Sequence, residues 1–274
     1  MPITGDPDPA GPAPVELPGV DPATVVARLR GAGCVYAEEE AELLLAGACT
    51  SEALVAMVER RVAGLPLEQV LGWAEFCGLR VAVEVGVFVP RRRTELLVRR
   101  AVALAGSRPT VVDLCCGSGA LALAVAASVP PARLVAVDID PAAVRCAAGN
   151  LAPRHAEVFL GDLFEPLPAD LRGGVDLLLA NVPYVPTEVL ALLPAEARLH
   201  EPPVALDGGT DGLDVLRRVA AGAGEWLADG GHLLVEVGDD QVAAAVEVLG
   251  RHGLTAEVVH DPDLDATVLS GRAG

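Results

Sequence analysis

The stretch "TVVDLCCGSGALALAVAASV", residues 110–129, decides the fold. Its first half is a nearly unbroken apolar run, interrupted by Asp113, with no polar alternation. A strand of that kind is covered on both faces, which points to a mainly parallel sheet with helices on either side. Its second half is Ala-rich and reads as a buried helix. Gly117 and Gly119 stand where the strand becomes the helix, so the chain can turn tightly and a ligand can approach the backbone.

Downstream the same alternation repeats. "RLVAVDID", "AEVFLGD", "VDLLLANV", "GHLLVEVG", "AEVVHDP" and "ATVLSGR" read as further strands, and "PAAVRCAAGNL", "DVLRRVAAGAGEWL" and "QVAAAVEVLGRHG" as helices between them. Counting the first, seven strands are expected over residues 94–274. The last two are joined by a short loop without a helix, so one edge is expected to be antiparallel. Upstream, residues 21–65 carry helical patterns: Leu43, Leu44, Ala46, Leu54, Val55, Met57 and Val58 recur at helical spacing, and Asp21-Pro22 and Thr50-Ser51 are helix starts. This small unit is too short for chemistry of its own and suits docking. Residues 66–93 form a link, in which period-two alternation from Leu79 to Val87 predicts a hairpin. Residues 1–20 are Pro-rich, lack an apolar signal core and are expected to be a disordered tail.

Bulk composition excludes several classes. Apolar residues make up 52% of the 274, enough for a large core, yet no run approaches the ~18 needed to span a bilayer. A cytoplasmic protein is expected. The six cysteines show no C-x-x-C pair, which speaks against a disulfide framework or a zinc site. Every basic residue is Arg and the net charge is −18, so a phosphate backbone is repelled and direct nucleic-acid binding is not expected. A basic protein is the better partner.

Two acids follow the glycine turn at the ends of successive strands. Asp138 lies about twenty residues on, where a carboxylate can take ribose hydroxyls. Asp162, in "LGDLF", could bind an adenine amino group or cap a turn. A dinucleotide would fit such a turn, with Ala122 in the third small position. Asp113 favours S-adenosylmethionine: its carboxylate would oppose a pyrophosphate and suits a cationic amino-acid end or sulfonium.

The fourth strand runs into "NVPY", residues 181–184. The Asn181 side-chain oxygen and the Val182 carbonyl are two acceptors. Pro183 keeps Val182 extended, and Tyr184 offers an aromatic wall. Together they describe a receptor for a planar –NH2; a turn with a buried, satisfied Asn is the other reading.

These stretches resemble the HemK/PrmC family of protein-glutamine N(5)-methyltransferases, whose signature at this place is N-P-P-Y. The likeness runs from residue 36 onward, through "AEEEAELLLA", "PLEQVLGWAEFCGL", "VFVPRRRTELLV", "DLCCGSGALALA", "EPPVALDGGTDGLDVLRRV" and "GGHLLVEVGDDQ". The resemblance implies a class I, Rossmann-like S-adenosylmethionine-dependent methyltransferase with a small N-terminal helical domain. It implies that the Asp113–Gly119 turn, Cys115 included, cradles the methionine part. Asp138 with Ile139 would take the ribose side, and Asp162 with Leu163 the adenine. Asn181, beside the cofactor, and the Val182 carbonyl would hold a target glutamine amide, with Pro183 and Tyr184 completing the catalytic loop. Arg91, Thr94, Glu95 and Glu201 would lie toward the substrate, and the stretch from Glu201 to Gly212 near its entrance, with Gly208-Gly209 serving packing alone. The implied partner is a release factor or a ribosomal protein.

Two departures stand out. Val182 replaces the family's first proline, and the family's Arg-Pro-Glu-Thr-Glu reads Arg91-Arg92-Arg93-Thr94-Glu95. The arginine run is either a substrate contact or a solvated face. Rival functions are N-methylation of a small molecule or another amine, and a cofactor-binding module whose catalytic loop has decayed.

Overall fold

The computed structural model describes residues 21–274; the stretch expected as a tail, residues 1–20, lies outside the described residues. The chain divides into two compact units between Leu71 and Gly72, inside the segment read as a link.

The first unit holds α1 (Pro22–Gly31), α2 (Ala37–Gly47), α3 (Ser51–Val62) and α4 (Leu67–Leu71). Asp21 caps α1 by accepting the Ala23 N–H at 3.1 Å, and Thr50 caps α3 through Ala53 N–H at 3.1 Å. Leu29, Leu44, Leu54, Val58 and Val70 form the core. The apolar stripe is narrower than the pattern suggested: Leu43 and Val55 face solvent, while the half-buried Arg61–Glu40 ion pair (2.6 Å) takes part of the inner surface. The α4 helix carries this unit past residue 65.

The second unit opens with the hairpin β1 (Trp73–Phe76) and β2 (Leu79–Ala82), turned at Cys77-Gly78. Pairing stops at Ala82, earlier than the period-two pattern to Val87 implied. After α5 (Glu95–Leu104) the α/β alternation begins: β3 (Thr110–Leu114), α6 (Ala120–Ser128), β4 (Arg133–Asp138), α7 (Pro141–Leu151), β5 (Glu157–Leu160) and β6 (Val175–Ala180). It continues through α8 (Ala195–His200), α9 (Asp214–Trp226), β7 (Leu227–Val237), α10 (Val242–Arg251), β8 (Thr255–Asp261) and β9 (Ala266–Arg272).

The sheet has seven strands in the order β5-β4-β3-β6-β7-β9-β8. Its first five are parallel; β9 is antiparallel to both β7 and β8. The antiparallel region therefore holds two pairs, because β9 inserts between β7 and β8. Exposure explains the order: β9 is buried at every residue but Arg272, whereas β8 carries Glu257 and His260 to the surface and tolerates an edge. Alternate residues feed two cores. Val112, Leu114 and Leu178 pack with Leu216, Val219 and Trp226 of α9. Val111, Leu177 and Leu179 pack with Leu97, Val125 and Leu151 of α5, α6 and α7.

From β3 the chain winds outward to β5, then returns to β6 on the other side of β3. This reversal is a topological switch point, and it leaves a crevice beyond the strand ends. Leu114 and Ala180 are partners in register, so the glycine turn and Asn181 emerge side by side.

Candidate active site

The turn after β3 is organised by backbone before any ligand arrives. Asp138, at the end of β4, accepts the Gly117 N–H at 2.8 Å and the Asp140 N–H at 2.9 Å. Burial raises its carboxyl pKa, and those two hydrogen bonds pull it back. Gly119 has φ 76°, and a Cβ there would lie 3.0 Å from Leu151 Cδ1, so both its conformation and its contact with α7 demand glycine. Cys115 takes a left-handed φ of 55° and Leu163 one of 50°. Two side-chain-bearing residues in that region, at the ends of β3 and β5, are the kind of strain that gathers at ligand sites.

Asp113 is not a rim residue. It is fully buried, Oδ2 accepts the Ala122 N–H at 3.1 Å, and Oδ1 has no partner. Burial pushes the carboxyl up to about 8, against the Ala122 hydrogen bond, and the Asp138 charge adds to the rise. The acid is thus neutral below about pH 8 until a cation comes near. Ile139, beside Asp138, is 51% exposed although apolar, which suits a flat ring laid against it. Asp162 caps nothing with its side chain; Oδ2 pairs with Arg218 of α9 at 2.7 Å. The orphaned Asp113 oxygen, the Asp138 carboxylate at the turn and the exposed Ile139 fit a cofactor with a cationic end, a ribose and an adenine.

Asn181 follows β6, and its Oδ1 is buried without a hydrogen-bond partner. Val182 and Pro183 are buried, and no hydrogen bond to the Val182 N–H or carbonyl is formed among the described residues. The loop leaves in extended form: Val185 N–H bonds to Leu206 O (3.0 Å) and Gly208 N–H to Val185 O (2.9 Å). Gly208 and Gly212 let this backbone approach, since a Cβ would stand 2.7 Å from the Pro183 carbonyl and 2.2 Å from the Tyr184 carbonyl respectively. Gly209 is equally confined: it has φ 86°, and a Cβ there would stand 1.9 Å from Asp214 Oδ2.

The link residues are largely taken up by the protein. Arg91 grips both oxygens of buried Glu201 (2.6 and 2.7 Å), which also accepts the Val89 N–H at 3.2 Å. Glu95 accepts the Cys77 N–H at 3.2 Å and thereby fastens the hairpin turn. Thr94 is buried at the start of α5.

Sequence reasoning passed over Glu236, Gln241 and Arg218. Glu236 is 2% exposed near the C-terminal end of β7, accepts the Tyr184 hydroxyl at 3.1 Å and pairs with Arg93 at 2.9 Å. Burial raises its pKa, while the Thr94 hydroxyl and Arg93 lower it. An acid inside the apolar run "LLVEV" was the available signal. Gln241 Nε2 donates to the carbonyls of Tyr184 (2.9 Å) and Asp211 (3.0 Å). Among the described residues no group of His, Cys, Asp or Glu could hold a metal ion, and no helix is long and apolar enough to cross a membrane.

A switch-point crevice with a glycine turn after β3 and a carboxylate at the end of β4 is the arrangement of a Rossmann-like S-adenosylmethionine-dependent methyltransferase. Residues 79–191 match the Methyltransferase small domain, and a methyltransferase from Pyrococcus furiosus shares the fold (TM-score 0.55, 15% identity, 72% of this chain and 90% of that one). The release factor glutamine methyltransferase of Geobacter sulfurreducens is 40% identical over 222 residues, 80% of this chain and 77% of its own; the chain belongs to that family. A 4-amino-L-phenylalanine/4-methylamino-L-phenylalanine methyltransferase from Streptomyces pristinaespiralis is also similar, 38% identical over 68% of this chain and 66% of its own.

Proposed function

We propose that this enzyme methylates the side-chain amide nitrogen of a glutamine in a peptide chain release factor. One observation carries the reading: the buried Asn181 Oδ1, an acceptor without a donor, beside the cofactor turn. A buried acceptor left unpaired costs about 1–3 kcal/mol, and a planar –NH2 relieves it. The Val182 carbonyl supplies a second acceptor.

S-adenosylmethionine, when bound, supplies a methyl group already activated by its sulfonium. The chain's own task is placement. An amide nitrogen is a weak nucleophile because its lone pair is delocalised into the carbonyl. Asn181 and the Val182 carbonyl, each accepting one N–H, hold that nitrogen and raise its electron density as it becomes pyramidal. Fixing the geometry can remove about 7–11 kcal/mol of barrier in favourable cases. The methylated nitrogen is strongly acidic and gives its surplus proton to water, so no side-chain base is required, and the thiol of Cys115 is held in its protonated form by burial. The helical unit ending at Leu71 is assigned to docking the protein substrate.

The test is intact-mass and peptide mapping of release factors and ribosomal proteins after incubation with S-adenosylmethionine. A single added methyl on a release-factor glutamine supports the proposal; methylation of an aromatic amine in place of any protein would move this chain toward its small-molecule relative. Cofactor binding with no transfer to any substrate would reduce it to a binding module.

A further inference from the structure

Val182 leaves free a backbone dihedral that proline would hold near −65°. The acceptor loop must be held by other means, and Tyr184 shows which. Its carbonyl accepts from Gln241 Nε2 at 2.9 Å, and its hydroxyl donates to Glu236 Oε1 at 3.1 Å. Its ring lies under the Arg93 guanidinium, 5.4 Å from the centroid. Arg93 Nε meets the same Glu236 oxygen at 2.9 Å. Phenol and guanidinium therefore share one carboxylate oxygen and also touch each other. Glu236 is 2% exposed on a central strand, so the anchor itself is fixed. Arg91, two residues earlier, is spent on Glu201.

We infer that Arg93 is a positioning residue for methyl transfer: through Glu236 and the ring of Tyr184 it fixes the loop that holds the reacting amide, and so supplies the rigidity that Val182 does not. Arg93 then touches neither cofactor nor amide. Its loss leaves Glu236 buried without its cation and Tyr184 without a lid, so the acceptors drift while the cofactor turn stays in place. The inference rests on the methyltransferase reading above, and its test is built to fail separately from it.

The test uses four chains, the parent, Arg93→Gln, Val182→Pro and the double variant, all carrying Tyr36→Phe. The sequence has two tyrosines, so 13C-tyrosine labelling then reports Tyr184 alone. Calorimetry with S-adenosylhomocysteine confirms that each chain is folded. Arg93→Gln is expected to lower kcat roughly tenfold or more with KM for the release factor within about twofold, and to broaden the Tyr184 ring signal. Val182→Pro alone should change kcat by no more than about tenfold. With Pro at 182, Arg93→Gln should cost about threefold or less and the ring signal should sharpen again.

An equal loss in both backgrounds, or a rise in KM with kcat intact, overturns the inference; the second result would make Arg93 a direct substrate contact. If the parent transfers no methyl, the function reading falls, and the Tyr184 signal still decides the role of Arg93. Should Arg93→Gln fail to bind S-adenosylhomocysteine, Arg93→Lys replaces it, keeping the charge and losing the planar face. An intermediate kcat then supports the inference and an unchanged one sinks it.

Discussion

The cofactor turn and the substrate loop leave neighbouring strands at paired residues, Leu114 and Ala180, yet they are built on opposite terms. At the turn, Asp138, the acid proposed for a ribose, already accepts two backbone N–H groups, from Gly117 and Asp140. At the loop, the Asn181 oxygen proposed to hold an amide accepts nothing among the described residues. The cofactor side is thus woven into the fold, while the substrate side stores its capacity unpaired. Damage to the first should spread into stability and binding together. Damage to the second should fall on chemistry alone.

The hardest blow to this contrast would come from Asn181→Ala. Methyl transfer is expected to fall roughly 10²–10³-fold, about 3–4 kcal/mol, as for removal of a preorganised electrostatic contact. Affinity for S-adenosylhomocysteine should stay within about threefold, and thermal stability should hold, since the lost oxygen had no partner to orphan. If calorimetry shows affinity falling in step with rate, Asn181 is a structural residue and the contrast breaks.

Asp138→Ala tests the other side. Cofactor affinity should drop by ~1–3 kcal/mol, the usual worth of hydrogen bonds to a charged group. Unlike the Asn181 change, it should also lower the melting temperature of the ligand-free protein, because Gly117 and Asp140 lose their acceptor. A loss of affinity with no change in melting would mean that the turn stands without Asp138.

Asp113 links the two behaviours, being buried like the turn and half-orphaned like the loop. Its carboxyl sits near 8 in the free protein, so near neutral pH the cationic cofactor should drive off a proton on binding. Affinity for S-adenosylmethionine should then rise with pH toward about 8, by at most about tenfold per unit. Calorimetry in buffers of different ionisation enthalpy measures the released proton, and Asp113→Asn should abolish it. The stability consequence has the opposite sign. The folded pKa lies above the unfolded one, so this group favours folding most below about pH 4 and progressively less up to about pH 8. Asp113→Asn should flatten that slope in the ligand-free protein. A pH-independent affinity between about 6 and 8 would show that Asp113 does not sense the cofactor's charge.

The turn was legible in the sequence and much of the loop's support was not, for a related reason. Asp113, Gly117, Gly119 and Asp138 belong to one strand–turn–helix–strand unit, and local spacing is enough to place them. The helix caps Asp21 and Thr50 were readable on the same local grounds. Arg93, Tyr184 and Glu236 come from three distant segments, and only the folded sheet brings them to one point. Glu201 and Arg91 read one by one as substrate-side residues, and only the fold shows that they pair with each other. The seat of β9 likewise depends on a contest for burial with β8, which no local pattern records.

The smallest expected effect is also the one that compares strain with function most directly. Cys115 stands at φ 55°, a conformation that costs a side-chain-bearing residue about 1–2 kcal/mol. Its thiol is kept protonated by burial, and its side chain packs against the core around Val112 and Leu114, so it behaves as a small apolar plug. Cys115→Gly should relieve the strain but lose that contact and add about 0.5–1 kcal/mol of unfolded-state entropy. The balance is a gain of up to about 1 kcal/mol, or about 2–4 °C in melting temperature for a chain of this size. Since the turn is held by the Gly117–Asp138 hydrogen bond, cofactor affinity should change by less than about twofold, roughly 0.4 kcal/mol. A melting temperature that rises while affinity falls would mean that the strained cysteine shapes the turn for its ligand. In that case the cofactor side, too, would hold energy in reserve, and the contrast with Asn181 would become one of degree.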